Sequence, residues 1–270
     1  MARLELVPEQ SAPLLEVAGL KVSYRGRGRR SRLVAALDGV DLTVQAGRTV
    51  GLVGESGSGK STLGRAILGL APISGGSVRF CGRDITRADV RERRVLSREI
   101  QVVFQDPYGS LNPTKSVGST LGEPLRVQRD RSAAAIKARV AEVLDQVGLP
   151  ADAARRFPGE FSGGQRQRIA IARALVLSPS LIICDEPVSA LDLSIQAQIL
   201  NLFNKLKREL RVSYLFISHD LAVVRYLADD LVVLNRGNVV ESGPTESVYN
   251  RPQAPYTKRL LAALPTPAGL

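Results

Sequence analysis

The segment that most constrains the fold of this chain is a glycine-rich run between an apolar stretch and a helix-forming stretch. It follows the β-branched run Thr49–Val53 and reads Gly54-Glu55-Ser56-Gly57-Ser58-Gly59-Lys60-Ser61-Thr62. The pattern GxxxxGK followed by Ser or Thr, between a strand and a helix, is typical of a phosphate-binding loop. Its backbone N–H groups and the positive end of the following helix suit a β-phosphate. We expect Lys60 to contact the β- and γ-phosphates and Ser61 to offer its hydroxyl to Mg²⁺.

A second apolar run ends in two acidic residues. Leu181–Cys184 is followed directly by Asp185 and Glu186. Because parallel strands deliver their C-terminal residues to the ligand edge of a sheet, we expect both carboxylates beside the phosphate-binding loop. Asp185 is expected to hold Mg²⁺, through water, and Glu186 to polarise the attacking water as a general base. Such acidic pairs also occur at structural turns, and the phosphate-binding loop favours the functional interpretation.

The order of the predicted elements indicates an α/β fold. Short apolar runs such as Ile100–Phe104 and Tyr214–Ile217 alternate with amphipathic stretches such as Ala133–Val147 and Ile195–Leu210. This alternation predicts a parallel sheet covered on both faces by helices. Further predicted elements are strands at 14–24, 33–44 and 77–80, helices at 61–70, 89–97, 165–177 and 221–227, and a hairpin over 231–241. Residues 106–122 are rich in Pro, Gly, Ser and Asn and are predicted to be loop.

Charge and cysteine content leave several partner classes open. The net charge is +11, and the stretches 25–32 and 87–98 each hold five arginines. A basic balance is compatible with nucleic acid, an anionic membrane surface or nucleotide phosphates. We interpret the two stretches as a solvated loop and a solvated helix, with contact to acidic head groups or a partner as the alternative. Two cysteines, Cys81 and Cys184, are too few for a disulfide framework and fit no metal pattern, which favours a reducing cytosol.

Membrane-related segments are not expected in this sequence. The N-terminal residues lack a basic region followed by an apolar stretch, so no signal peptide is predicted. No window approaches about 18 uninterrupted apolar residues, so no transmembrane helix is predicted. Any role at a membrane is therefore expected to be peripheral.

A third motif resembles a known family. The run that precedes the apolar strand ending in Asp185 and Glu186 reads Phe161-Ser162-Gly163-Gly164-Gln165-Arg166-Gln167-Arg168. It resembles the signature motif of the ATP-binding-cassette (ABC) family, which other phosphate-loop ATPases lack. This start of a helix can offer N–H and hydroxyl donors to a γ-phosphate from Ser162, Gly163, Gly164 and Gln165. Phe161 departs from the family pattern, in which Leu is commoner, but it lies outside the donor residues and no loss of activity is expected.

The resemblance assigns roles to further residues, in the family's order. It implies that Tyr24 stacks on adenine and that Gln105 contacts Mg²⁺ and the water. It also implies that Asp192, in the segment 189–192, reaches the partner subunit and that His219 hydrogen-bonds the γ-phosphate. His219 is the only histidine of the chain. With Lys60 and Glu186 also present, the resemblance implies a site that hydrolyses ATP.

Three segments resemble one subgroup of this family, the importers of dipeptides, oligopeptides and nickel. They are the stretch after Gln105 up to Pro113, the run Phe157–Glu160 and the tail Arg251–Leu261. The resemblance implies one nucleotide-binding domain over 14–265, with a phosphate-loop ATPase core and a mostly parallel sheet. An antiparallel β subdomain would precede a helical subdomain inserted at about 106–175, and a C-terminal extension would span about 243–265. The chain resembles the second, shorter type of ATPase subunit, since no cysteine cluster stands near its end.

The implied assembly is a peripheral ATPase on the cytoplasmic face of the cell membrane. A second ATPase subunit, identical or a paralogue, would close head to tail with this chain around two ATP molecules. Two membrane permease subunits would bind the pair, and an extracytoplasmic solute-binding protein would deliver the cargo. The cargo stays open among peptides, nickel and related small solutes.

Three alternatives remain at the level of the sequence. One is the ATPase subunit of an exporter. Another is a soluble ABC ATPase acting on nucleic acid or ribosomes, which the basic charge would suit. Such proteins carry a coiled-coil insertion, zinc cysteines or tandem cassettes, and this chain has none, so no nucleic-acid partner is expected. The third is a regulatory, non-hydrolysing partner, and the complete set of catalytic residue types argues against it.

Overall fold

The strands of the chain form two sheets in a computed structural model that describes residues 12–25, 33–106, 109, 111–128 and 132–263. The strands are β1 (Leu15–Arg25), β2 (Leu33–Val44), β3 (Thr49–Val53), β4 (Ile73–Phe80), β5 (Arg83–Asp84), β6 (Ile100–Val103), β7 (Leu181–Asp185), β8 (Ser213–Ser218), β9 (Asp230–Asn235) and β10 (Asn238–Pro244). The first sheet has the order β2-β1-β4-β5 and is antiparallel. The second has the order β10-β9-β3-β8-β7-β6 and is parallel except for β10. The α/β fold with a mostly parallel sheet and an early antiparallel β unit is confirmed.

Helices follow most of the parallel strands. They are α1 (Lys60–Ile67), α2 (Val90–Glu99), α3 (Val117–Gln128), α4 (Ala133–Gln146), α5 (Gly163–Leu175), α6 (Leu193–Leu210), α7 (Leu221–Leu227), α8 (Thr245–Asn250) and α9 (Pro255–Ala262). Two 3₁₀ turns, Ala151–Arg155 and Pro158–Glu160, lead into α5. Among the residues in the described ranges, no helix is both long enough and apolar enough to span a bilayer.

The parallel sheet is buried on both faces. In β7, Ile182 and Cys184 pack into one hydrophobic cluster with the helices α3 to α7, whereas Ile183 packs into a second cluster. The second cluster includes α1 and the inner face of the antiparallel sheet. Strands buried on both faces read as continuous apolar runs, which is why these strands could be found from the sequence.

The sequence-based prediction was wrong in two regions. Residues 117–122, predicted as loop, begin α3, where Val117, Leu121 and Leu125 are fully buried. These three follow the helical period, which the small and polar residues between them obscure in the sequence. The helices α8 and α9 were not predicted, because they are short and lie in a Pro-rich stretch. The predicted Gly/Arg loop lies outside the described residues beyond Arg25.

The basic helix α2 is less solvated than its composition indicates. The half-buried guanidinium of Arg93 donates to the carbonyl oxygens of Ile67 (2.8 Å) and Ile85 (2.6 Å). The first of these is the last residue of α1, so Arg93 satisfies a carbonyl that the helix leaves free. Arg94 donates to the carbonyl oxygen of Val127 near the end of α3 (3.2 Å). At least two of the five arginines therefore hold helix ends in place.

Candidate nucleotide-binding and hydrolysis site

The backbone of the phosphate-binding loop takes a shape that requires glycine at two positions. Gly54, directly after β3, has φ 154° and Gly59 has φ 108°. A Cβ at Gly54 would lie 2.1 Å from the carbonyl oxygen of Leu234, and a Cβ at Gly59 would lie 2.7 Å from that of Ala36. The loop is therefore held between β9 and β2, and side chains at these positions would force it out of shape.

The ammonium group of Lys60 lies inside the loop. It donates to the carbonyl oxygens of Gly54 (2.6 Å) and Glu55 (2.9 Å), and the residue is only 5% exposed. Burial lowers the pKa of Lys60, while the charges of Glu186 and Asp185 act in the opposite direction. The first helical residue thus carries a desolvated cation where the helix presents its positive end.

Asp185 and Ser61 meet at the same edge. Asp185 ends β7, and its Oδ1 accepts a hydrogen bond of 2.8 Å from the hydroxyl of Ser61 in α1. Burial raises the pKa of the Asp185 carboxyl, whereas the hydrogen bond from Ser61 lowers it. A hydroxyl and a carboxylate oxygen at this distance are hard donors that suit Mg²⁺. In the described part of the chain no three His, Cys, Asp or Glu residues cluster as a metal site.

Glu186 and His219 are brought together by neighbouring parallel strands. Each follows the end of its strand, β7 for Glu186 and β8 for His219, and Oε2 of Glu186 lies 3.1 Å from Nδ1 of His219. Glu186 has φ 49°, an unfavourable conformation for a residue with a side chain. Its backbone N–H donates to the carbonyl oxygen of Ile217 (3.0 Å), which holds that conformation in place. Strained backbone of this kind concentrates at functional sites.

The positions of Tyr24 and Gln105 relative to the loop follow from the pairing of the strands that carry or precede them. Tyr24 on β1 is partly exposed and pairs with Val34 of β2, two residues from the Ala36 carbonyl that packs on Gly59. Gln105 is exposed two residues beyond β6, and β6 pairs with β7. Part of the stretch after Gln105 lies outside the described residues. Both positions are compatible with the predicted contacts to adenine and to the Mg²⁺ ion.

The signature segment forms a second, separate surface. Ser162 caps α5 through a reciprocal pair of hydrogen bonds, because its Oγ accepts from the N–H of Gln165 (3.3 Å) and its N–H donates to Oε1 of that residue (3.0 Å). Asp192 caps α6 by accepting from the N–H of Ile195 (2.9 Å). Ile195 packs on Gly164, where a Cβ would lie 2.6 Å from its Cγ2. Ser162, Gly163, Gly164 and Asp192 therefore share one neighbourhood, where the hydrogen bonds of Ser162 and Asp192 cap their own helices.

Two residues that support the loop were not found from the sequence. Gly237, in the turn between β9 and β10, donates its N–H to the carbonyl oxygen of Ser58 (2.9 Å). The hydroxyl of Tyr256 in α9 accepts a hydrogen bond of 3.1 Å from the N–H of Glu55. The hairpin signal predicted the turn but not its contact with the loop. Nothing in the local sequence around Tyr256 indicates that it reaches a segment about 200 residues earlier.

Comparison with known proteins identifies relatives of the whole chain in sequence and in fold. The family profile described as ABC transporter matches residues 37–189. The oligopeptide transport ATP-binding protein OppF of Lactococcus lactis is 46% identical over 94% of this chain and 81% of its own length. The dipeptide transport ATP-binding protein DppF of Escherichia coli is 46% identical over 94% of this chain and 77% of its own. A dimeric, post-hydrolysis structure of the cassette MJ0796 bound to ADP and Pi has a TM-score of 0.75 and 29% sequence identity, and the match covers 86% of this chain and 98% of that one.

Proposed function

This chain belongs to the ABC transporter family, and from that premise we propose that its phosphate-binding loop is the motor site of a peptide importer. The chain is an ATP-binding subunit that hydrolyses ATP to drive transport. The observation that carries the site assignment is the convergence at one sheet edge of Lys60, Ser61, Asp185, Glu186 and His219. Peptides are the cargo class, because relatives 46% identical over most of the chain are oligopeptide and dipeptide transport ATP-binding proteins.

In the proposed site the loop binds the phosphates of ATP. The backbone N–H groups at the Gly59 end of the loop surround the β-phosphate, whereas that of Glu55 donates to Tyr256. The Lys60 ammonium moves from its two carbonyl partners to the phosphate oxygens. Ser61 and Asp185 would hold Mg²⁺, which when bound neutralises phosphate charge and orients the γ-phosphate. Tyr24, on the β sheet next to the loop, stacks on the adenine.

Hydrolysis is assigned to the pair Glu186 and His219. The Glu186 carboxylate accepts a proton from the attacking water, and His219, 3.1 Å from that carboxylate, donates a hydrogen bond to the γ-phosphate. Gln105, two residues beyond β6, would contact the attacking water and Mg²⁺ from the strand next to β7. The chemistry needs little covalent assistance from the protein, so the positions of these groups carry most of the rate.

A second subunit completes the site in this proposal. Ser162 lies at the start of α5, where N–H groups and a hydroxyl are available, and it exchanges its capping hydrogen bonds with Gln165 of the same helix. A head-to-tail dimer would place Ser162, Gly163, Gly164 and Gln165 of one subunit on the γ-phosphate bound by the other. Asp192, next to this segment, would cross the same interface. The dimeric cassette structure with ADP and Pi supports the arrangement.

The membrane partner is proposed to dock on the helical part of the chain. A groove of about 610 Å³ lies between α3, α4 and the turn Ala151–Arg155, with Ile136 and Val140 on an apolar wall and Lys137 and Arg155 beside it. We assign this groove, together with the stretch after Gln105, to permease subunits at the cytoplasmic face of the membrane. The domain division that goes with it is a core over 14–265 with a helical insertion at about 106–175 and an extension from about 243.

Nucleotide binding and turnover test this function directly. The purified full chain is expected to bind Mg²⁺-ATP and to release phosphate. Lys60→Ala is expected to weaken binding and to slow phosphate release by about tenfold or more, because the phosphates lose one to two charge-assisted hydrogen bonds. Lys258→Ala, at an exposed position of α9, is the matched control and should leave both unchanged. A wild-type chain that binds no ATP, or a Lys60→Ala chain that binds it normally, would refute the proposal.

A further inference from the structure

The C-terminal helix α9 makes a direct hydrogen bond to the phosphate-binding loop. Tyr256, the second residue of α9, is 7% exposed, and its hydroxyl accepts from the N–H of Glu55 at 3.1 Å. Glu55 is the second residue of the loop. The contact therefore joins α9 to the segment that is proposed to bind ATP.

The same peptide unit also holds Lys60. The carbonyl oxygen of Gly54 accepts from Lys60 Nζ at 2.6 Å, and the N–H of the same Gly54–Glu55 peptide donates to Tyr256. In a planar trans peptide the C=O and N–H bonds point in opposite directions, so a partner at one end restricts the direction of the other. The peptide is thus held from both sides, by the Tyr256 hydroxyl and by the Lys60 ammonium.

Tyr256 is itself fixed by its surroundings. The Glu241 carboxylate in β10 accepts from the N–H groups of Gln253 (2.7 Å) and Ala254 (3.0 Å), directly before α9. The half-buried Leu260 and Leu261 pack against the main hydrophobic cluster, to which Tyr256 itself belongs. The hydroxyl is therefore presented to the loop by a helix that is anchored at its start and along its inner face.

We propose that Tyr256 is a positioning residue for the phosphate-binding loop. Its hydroxyl fixes the Gly54–Glu55 peptide, and the carbonyl oxygen of that peptide in turn fixes the position of the Lys60 ammonium. The inference rests on the proposed ATP function and adds a role for the C-terminal helix in it. Without the hydroxyl the N–H of Glu55 loses its partner and the peptide is free to turn. ATP must then order the loop when it binds, so affinity falls, while Glu186 and His219 are unchanged.

The test is Tyr256→Phe in the full chain, which keeps the ring and removes one oxygen. We expect the Kd and KM for Mg²⁺-ATP to rise roughly three- to tenfold, the range for one lost hydrogen bond, with kcat within about twofold of wild type. The matched control is Tyr226→Phe, which removes a hydroxyl that bonds Asn201 on α6, with neither residue in the loop. This control should leave the Kd and KM at the wild-type values.

Amide hydrogen exchange separates a local role from general loosening. In Tyr256→Phe the N–H of Glu55 should exchange faster. The N–H of Thr49, the first residue of β3, donates to the Asp229 carboxylate and should keep its exchange rate. Equal acceleration at both amides, an unchanged KM, or the same KM change in Tyr226→Phe would overturn the inference. Failure of the wild-type chain to bind ATP would instead refute the proposed function, so the two failures are distinguishable.

Discussion

The carboxylate of Glu186 lies 3.1 Å from Nδ1 of His219, although 33 positions separate the two residues in the sequence. Both stand just after the C-terminal ends of adjacent parallel strands, β7 and β8, and the N–H of Glu186 is bonded to the carbonyl oxygen of Ile217 in β8. The pairing of the strands therefore sets the distance between the two side chains. It places a carboxylate and an imidazole side by side at the edge where Lys60 and Ser61 also lie.

The first prediction concerns Glu186, the proposed proton acceptor. Glu186→Gln keeps the size of the side chain but removes its basicity, so hydrolysis should fall by about 10²–10⁴-fold, the usual contribution of a general base. ATP binding should stay within about threefold of wild type, because the loop is not altered. Phosphate release and equilibrium nucleotide titration measure the two effects. Glu209→Gln, at an exposed position of α6, is the control and should hydrolyse ATP at the wild-type rate. Normal turnover in Glu186→Gln would show that Glu186 is not the general base.

Sequence patterns predicted the residues of the proposed site better than the residues that hold the surrounding backbone in place. Lys60, Asp185 and Glu186 were predicted because a loop pattern and an apolar strand are local signals, and parallel strands bring their ends together. Tyr256 and Arg93 were not predicted, because their partners are backbone groups of distant segments and any side chain of suitable reach could serve. Backbone partners leave no residue pattern in the sequence, so such contacts emerge only from the tertiary structure.

The second prediction follows from the raised pKa of the Asp185 carboxyl. Burial favours its protonated form in the folded chain, so ionisation destabilises the fold as pH rises through the folded-state pKa. Asp185→Asn should therefore raise the thermal midpoint at neutral pH, with Mg²⁺ and nucleotide left out. The gain should vanish at acidic pH, below the unfolded-state pKa, where the wild-type carboxyl is also neutral. In the same variant Mg²⁺-dependent hydrolysis should be lost.

Differential scanning calorimetry of the Asp185→Asn and wild-type chains over a pH series measures the change in thermal midpoint. Asp152→Asn, an exposed acid in the 3₁₀ turn Ala151–Arg155, serves as the control and should show little dependence. A midpoint gain that stays constant from acidic to neutral pH would mean that charge burial is not its cause. A lower midpoint at neutral pH would contradict the prediction outright.

The third prediction tests the packing of the signature segment on α6. A Cβ at Gly164 would lie 2.6 Å from Cγ2 of Ile195, so Gly164→Ala forces that side chain or the helix to move. The expected cost is about 1–3 kcal/mol of unfolding free energy, as for other overpacked sites. Since Asp192 caps the helix that carries Ile195, hydrolysis in the assembled complex should fall too. Gly159→Ala, where a Cβ would meet nothing within 4 Å, should fold and turn over normally.

The last prediction separates the two interpretations of the basic helix α2. If Arg93 serves the fold by bonding the carbonyl oxygens of Ile67 and Ile85, Arg93→Met should lower the unfolding free energy by about 1–3 kcal/mol. Methionine keeps much of the apolar stem, so the loss reports the missing donors and not the packing. Arg91→Met, at an exposed position of the same helix, should stay within about 0.5 kcal/mol of wild type. Denaturant unfolding of the three chains measures the difference. If Arg93→Met were as stable as Arg91→Met, while both variants bound anionic vesicles less than wild type, α2 would be a membrane-facing surface and not a structural link between α1 and the sheet.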